Sequence, residues 1–214
     1  MRAVVDNDIL SKGASYRLLP HLVTCEVGDG ERIGILGAAR FVVAKKISKA
    51  RLRNGPEAAV AQFTEFIAQA EVLEPTEAEQ QFAAQLELAA QKQALNFHGG
   101  ESQLCAIVLT REVPLFLTGD KQAIAAMEQM LDVEQTLVGL RGRLRCMEQL
   151  VFTLLGRSEP GSVRTAICDE PDVDKSLSTC FSCAAAQAND ESIIAGLESY
   201  IGDVRRQAER LFGA

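Results

Sequence analysis

Tryptophan is absent and aromatic residues make up only 5% of the chain, while Ala, Leu, Val and Gln dominate long windows. That balance disfavours an all-β sandwich and favours helices packed on a small sheet. Long apolar runs are missing too. No stretch approaches the roughly 18 uncharged apolar residues that span a bilayer, and Asp6 interrupts the opening run before a signal peptide's apolar region would be complete. The expectation is a cytoplasmic protein without membrane association. Histidine occurs only as His21 and His98, and neither has a Ser or Cys pattern near it that would make a nucleophile and base pair. Positive charge is short as well: 22 Lys and Arg against 29 Asp and Glu leave a formal net charge of −7. Indiscriminate adhesion to nucleic acid is thereby excluded, and any such site is a local patch.

The 214 residues are 47% hydrophobic, enough to bury a core without staples. Six cysteines fit a reducing compartment as buried thiols or metal ligands better than as disulfides. Cys180-Phe181-Ser182-Cys183 is one short hook, with Cys146 and Cys168 as further zinc-ligand candidates. Structural zinc sites usually pair two such hooks, so buried thiols are the better reading.

Residues 3 to 6, Ala-Val-Val-Asp, read as a buried parallel strand ending in acid. Ile9 to Leu19 reads as helix stopped by Pro20, and His21 to Val27 as a second strand. A helix is expected from Glu31 onward through Ile33, Leu36, Val43 and Ile47, then helices over 57 to 73 and 77 to 95, the latter opened by a Thr76/Glu79 capping box. After Gly99-Gly100 comes another helix, then a strand at Leu115-Phe116-Leu117-Thr118 and a helix from Lys121 to Met130. Beyond about residue 140 the pattern is helical, from Leu144 to Leu155 and again after a loop at Pro160-Gly161. The last helix sets Ile194, Leu197, Ile201, Val204, Ala208 and Leu211 in a seam fit for packing on a partner.

Asp6 with Asp8, Glu101, and Asp120 each fall where a strand exits or a helix opens after glycine. Such places converge at one edge of an open parallel sheet. Gathered carboxylates repel one another unless a cation neutralises them, and hard oxygen donors select Mg²⁺ or Mn²⁺. Taken singly, each acid also reads as a solvated loop carboxylate or a helix cap.

Val4-Val5-Asp6-Asn7-Asp8-Ile9-Leu10, Gly100-Glu101-Ser102-Gln103-Leu104 and Leu115-Phe116-Leu117-Thr118-Gly119-Asp120-Lys121 together resemble, in order, the three acidic motifs of the PIN-domain family. The resemblance covers residues 1 to 135, leaving 136 to 214 as a helical C-terminal extension. It implies an α/β, Rossmann-like fold with a short central parallel sheet flanked by helices. It also implies a Mg²⁺ or Mn²⁺ site on Asp6, Asp8, Glu101 and Asp120, with Asp6, Glu101 and Asp120 catalytic. The activity implied is that of an endoribonuclease hydrolysing RNA phosphodiesters, as in toxin components, with a homodimer or an inhibitory protein partner as associated expectations. The sequence departs from the family where Gln122 and Ala123 stand in place of a further Asp after Asp120.

Lys45, Lys46, Lys49, Arg51 and Arg53 form the strongest basic run, with Lys45, Lys49 and Arg53 at helical spacing suited to an RNA-contacting edge. A solvated helix end explains the same run equally well. Arg141, Arg143 and Arg145 read as an exposed, solubilising turn. Two other functions are open: an inactive PIN-like interaction module, supported by the missing acid, and a phosphatase similar to the haloacid-dehalogenase family. In the latter, Asp6 would be nucleophile and Asp8 acid.

Overall fold

Short apolar runs build the sheet. A computed structural model describes residues 1–212, in which β1 (Ala3–Val5), β2 (Ile33–Leu36), β3 (Glu71–Leu73), β4 (Leu115–Leu117) and β5 (Leu144–Arg145) pair in parallel in the order β3-β2-β1-β4-β5. The chain therefore winds outward from β1 to β3 and then crosses back to the other side of β1. The crevice of such a sheet opens where the direction reverses, outside the carboxyl ends of β1 and β4.

The helices are α1 (Asn7–Ser15), α2 (Leu19–Val27), α3 (Ala39–Ser48), α4 (Glu57–Ala68), α5 (Glu77–Lys92), α6 (Gly99–Thr110) and α7 (Lys121–Met130). After a 3-10 turn at Gln135–Leu140 come α8 (Met147–Leu155), α9 (Pro160–Asp169), α10 (Lys175–Cys180), α11 (Asp190–Gln207) and α12 (Glu209–Phe212). Alternation along the strands separates two cores. Ala3, Val5, Ile33, Ile35, Leu115 and Leu117 face one, shared with α1 to α4 and α8 to α10, whereas Val4, Leu36, Leu73, Phe116 and Leu144 face the other, covered by α5, α6 and α7. Both faces of the parallel sheet are thus buried, as such sheets require.

The α/β expectation with a short parallel sheet holds; several elements differ from the sequence reading. His21 to Val27 is helical, because Pro20 occupies the first turn of α2, where its fixed φ and missing N–H start a helix instead of stopping one. Ile33 to Leu36 is a strand whose four residues are all buried. The spacing of Ile33 and Leu36 also fits a helix, but Gly34 suits the strand: a Cβ there would lie 2.6 Å from Leu73 Cδ1 of the neighbouring strand. The helix expected to reach residue 73 ends at Ala68 and yields to β3. The Thr76/Glu79 capping box is formed, with Thr76 N–H donating to Glu79 Oε2 at 2.8 Å.

The segment after residue 135 is mostly helical but also supplies β5 to the sheet. The loop expected at Pro160-Gly161 is the first turn of α9, again with proline at its start. The seam of the last helix turns inward: Leu197, Val204, Ala208 and Leu211 are buried in this chain's own cores, Ile201 is buried as well, and Ile194 stays exposed. Cys168 and Cys183 form a disulfide, contrary to the expectation of free thiols, because α9 and the turn after α10 bring their Cα atoms to 4.9 Å. Closing a loop of this length restricts the unfolded chain by an amount worth about 3 kcal/mol. Cys180 and Cys146 are free and buried, so the four cysteines do not converge as a zinc site.

Candidate active site

Asp6 leaves β1 at the crevice and is only 3% exposed. Its Oδ1 accepts the Ile9 N–H at 2.8 Å, capping α1, while Oδ2 accepts from the Thr118 hydroxyl at 2.5 Å and the Gly119 N–H at 3.1 Å. Thr118 and Gly119 follow β4, so the carboxylate ties the two switch-point strands together. A carboxylate offers about four lone-pair sites; three are used, leaving one for a ligand. Burial pushes the Asp6 carboxyl up to about 7, against these hydrogen bonds and with a further push from the Asp8 charge.

Asp8 lies over Gly119, where a Cβ would come within 2.7 Å of its Oδ2. Lys12 Nζ stands 2.7 Å from Oδ2 and Lys46 Nζ 3.1 Å from Oδ1. Burial opposes ionisation of Asp8, but the two ammonium groups outweigh it and hold the carboxyl below its ordinary range. Of the four acids expected to hold metal, Asp8 is therefore the one already neutralised by the chain itself.

Glu101 sits in the first turn of α6, half-buried, and its Oε2 is buried with no hydrogen-bond partner. Burial, and then the charge of Asp120, raise its carboxyl above the usual range. Asp120 caps α7 by accepting the Gln122 and Ala123 N–H groups on Oδ1, at 2.8 and 3.0 Å, a cap that uses one of its two oxygens. Its own N–H donates to Thr118 Oγ1 at 3.3 Å, linking it to the Asp6 network. The expected acids thus reach one sheet edge as two pairs, Asp6 with Asp8 and Glu101 with Asp120. Among the described residues, no group of three or more His, Cys, Asp or Glu is drawn together tightly enough to hold an ion as it stands.

The basic run divides. Lys45 and Lys46 occupy the last turn of α3, Lys49 is its C-cap, and Arg51 and Arg53 follow in a loop. The helix stops before the Asn54-Gly55 turn, so Arg53 does not continue the Lys45 and Lys49 face. All five are exposed, and Lys46 is the one that reaches the acids. Arg145 is no free surface cation: it donates to Glu26 at 2.5 Å, fastening β5 to α2.

Sequence reasoning missed the groups behind the site. Lys12 bridges Asp8 and Asp174, each at 2.7 Å, and the two acids raise its ammonium further against the effect of burial. Asp174 caps α10, so the C-terminal segment reaches the edge of the crevice. Beside it, Lys121 pairs with the fully buried Glu148, leaving Glu148 Oε2 unpartnered, and also donates to Ser176 Oγ at 3.0 Å. The Tyr16 hydroxyl is buried next to these charges without a well-formed hydrogen bond. A Lys directly after Asp120 was the one sequence signal for this layer. No family model matches the chain, and no curated protein matches it either.

Proposed function

We propose that the chain is a metal-dependent nuclease that hydrolyses RNA phosphodiester bonds at an acidic Mg²⁺ or Mn²⁺ site of PIN-like type. The observation that carries this is the orphaned Oε2 of Glu101, buried beside Asp120 at the edge that also carries Asp6. An unpartnered buried carboxylate oxygen on a group that also feels a second acid's charge is costly without a cation. Glu101, Asp120 and the spare lone pair of Asp6 are the donors that would hold the ion, and hard oxygen donors suit either metal. When bound, the metal lowers the pKa of a water and stabilises the leaving oxygen of the phosphodiester.

The chain's own groups do the rest. Thr118 and Gly119 fix the Asp6 rotamer, and Lys12 and Asp174 hold Asp8 in place. Lys46, exposed at the rim, can exchange its Asp8 contact for a phosphate. The phosphatase alternative fits these groups less well: Asp6 is enclosed by three hydrogen bonds, and Asp8 is kept ionised, which disfavours it as a proton donor. The interaction-module alternative, supported by the missing acid after Asp120, is further favoured by the neutralisation of Asp8 by two lysines.

Cleavage of a mixed pool of single-stranded RNAs in Mn²⁺, compared among wild type, Asp6→Ala and Glu101→Ala, tests the proposal. Losing a metal ligand is expected to lower the rate by at least about 100-fold. Cleavage that persists in both variants, or in EDTA, would overturn it.

A further inference from the structure

From Arg32 to Pro56 the chain carries seven of its 22 Lys and Arg and no acid, although the whole is acidic. Within this stretch α3 presents Phe41 to solvent, 68% exposed, and Val42 at 50%. The Arg40 guanidinium lies 5.1 Å from the centre of the Phe41 ring, an arrangement that leaves the ring's open surface inside a positive field. Lys45 stands one turn beyond Phe41, and Lys46 one turn beyond Val42. The second of these columns ends at the acids, since Lys46 contacts Asp8. The groove alongside, past α1, sets Lys46 and Arg51 against Glu170 and Asp172, and its Lys12 is paired with Asp8 and Asp174, so the positive face is that of α3 itself.

We propose that this face of α3 is a platform for single-stranded RNA, in which an unpaired base stacks on Phe41 while phosphates follow Lys45, Lys49 and Lys46 toward the acidic edge. An aromatic ring open to solvent within a run of cations is the combination that recognises unpaired nucleotides. Every base has a π face, and the backbone supplies the charge. Paired bases cannot reach such a ring without unstacking, so the platform selects single strands over duplex. The charge complementarity favours a polyanion over an apolar protein segment as the occupant. The direction of the strand, toward the acids, rests on the nuclease reading; the binding itself does not.

The test is the affinity of a fluorescein-labelled single-stranded RNA of mixed sequence and of the matching duplex, measured in EDTA for wild type, Phe41→Ala and Phe41→Tyr. Phe41 is exposed, so unchanged thermal unfolding of the variants serves as the control for folding. Phe41→Ala is expected to weaken single-strand binding about ten-fold, with Phe41→Tyr within about two-fold of wild type and duplex binding unaltered. Equal single-strand affinity for wild type and Phe41→Ala would overturn the platform, as would equal losses on single strand and duplex; an α3 face that binds a protein would give the first result. Because EDTA removes metal from the measurement, weakened binding in Phe41→Ala upholds the platform even where Mn²⁺-dependent cleavage is absent. Unchanged binding beside intact cleavage overturns the platform and leaves the nuclease standing.

Discussion

Asp6→Asn is expected to make the protein's stability in EDTA less sensitive to pH, by about 2–3 kcal/mol between pH 5 and pH 8 relative to wild type. The carboxyl of Asp6 is raised by burial from 3.8 to about 7. A raised acid in the folded state contributes stability that is fully present below its unfolded value, near pH 4, and is lost as pH rises through about 7. Wild type therefore weakens across this window, because folding must bury a carboxylate that the unfolded chain ionises freely. Asparagine cannot ionise. It keeps an oxygen for the Ile9 N–H but sets an NH₂ against the Gly119 N–H, a loss of about 1 kcal/mol that is the same at both pH values. Urea unfolding of both proteins at the two pH values measures the difference. Parallel pH profiles would show that Asp6 is not held in the low-dielectric position described.

Lys121→Met is expected to destabilise the protein by about 3–5 kcal/mol. Glu148 is fully buried at the start of α8, and Lys121 is its charge partner. Removing the ammonium strands a carboxylate without solvent, and the loss of the Ser176 contact and of the Tyr200 ring, 5.0 Å from Nζ, loosens α7 from α10 and α11. The double variant Lys121→Met with Glu148→Gln should recover most of the loss, because the stranded charge is gone. Chemical denaturation of the two variants and wild type decides it; a single-variant cost below about 1 kcal/mol would mean that the pair is solvated.

The acid positions were legible because each is written locally. An apolar run that stops at an acid reads as a strand opening into a crevice, and Asp6 after β1 and Asp120 after β4 lie there. Glu101 was marked by the two glycines that open α6. The same local grammar failed where one residue supports two readings. Pro20 can end a helix or begin one, and Ile33 and Leu36, three apart, fit a helix as well as the strand that tertiary packing makes of them. What no local pattern carries is the charge balance behind the acids. Lys46 reaches Asp8 across 38 residues, Asp174 reaches Lys12 from the far C-terminal segment, and the buried partner of Lys121 is Glu148. Such pairs are fixed by how helices pack on the sheet, and so is the Cys168–Cys183 bond.

The proposed nuclease requires Glu101, Asp120 and Asp6 to accept a divalent ion. Isothermal titration of Mn²⁺ into wild type and Glu101→Gln tests it without reference to any substrate. Saturable binding in wild type, weakened by at least about ten-fold in Glu101→Gln, is the predicted result. Wild type that shows no saturable binding, or a variant that binds as tightly, would contradict it.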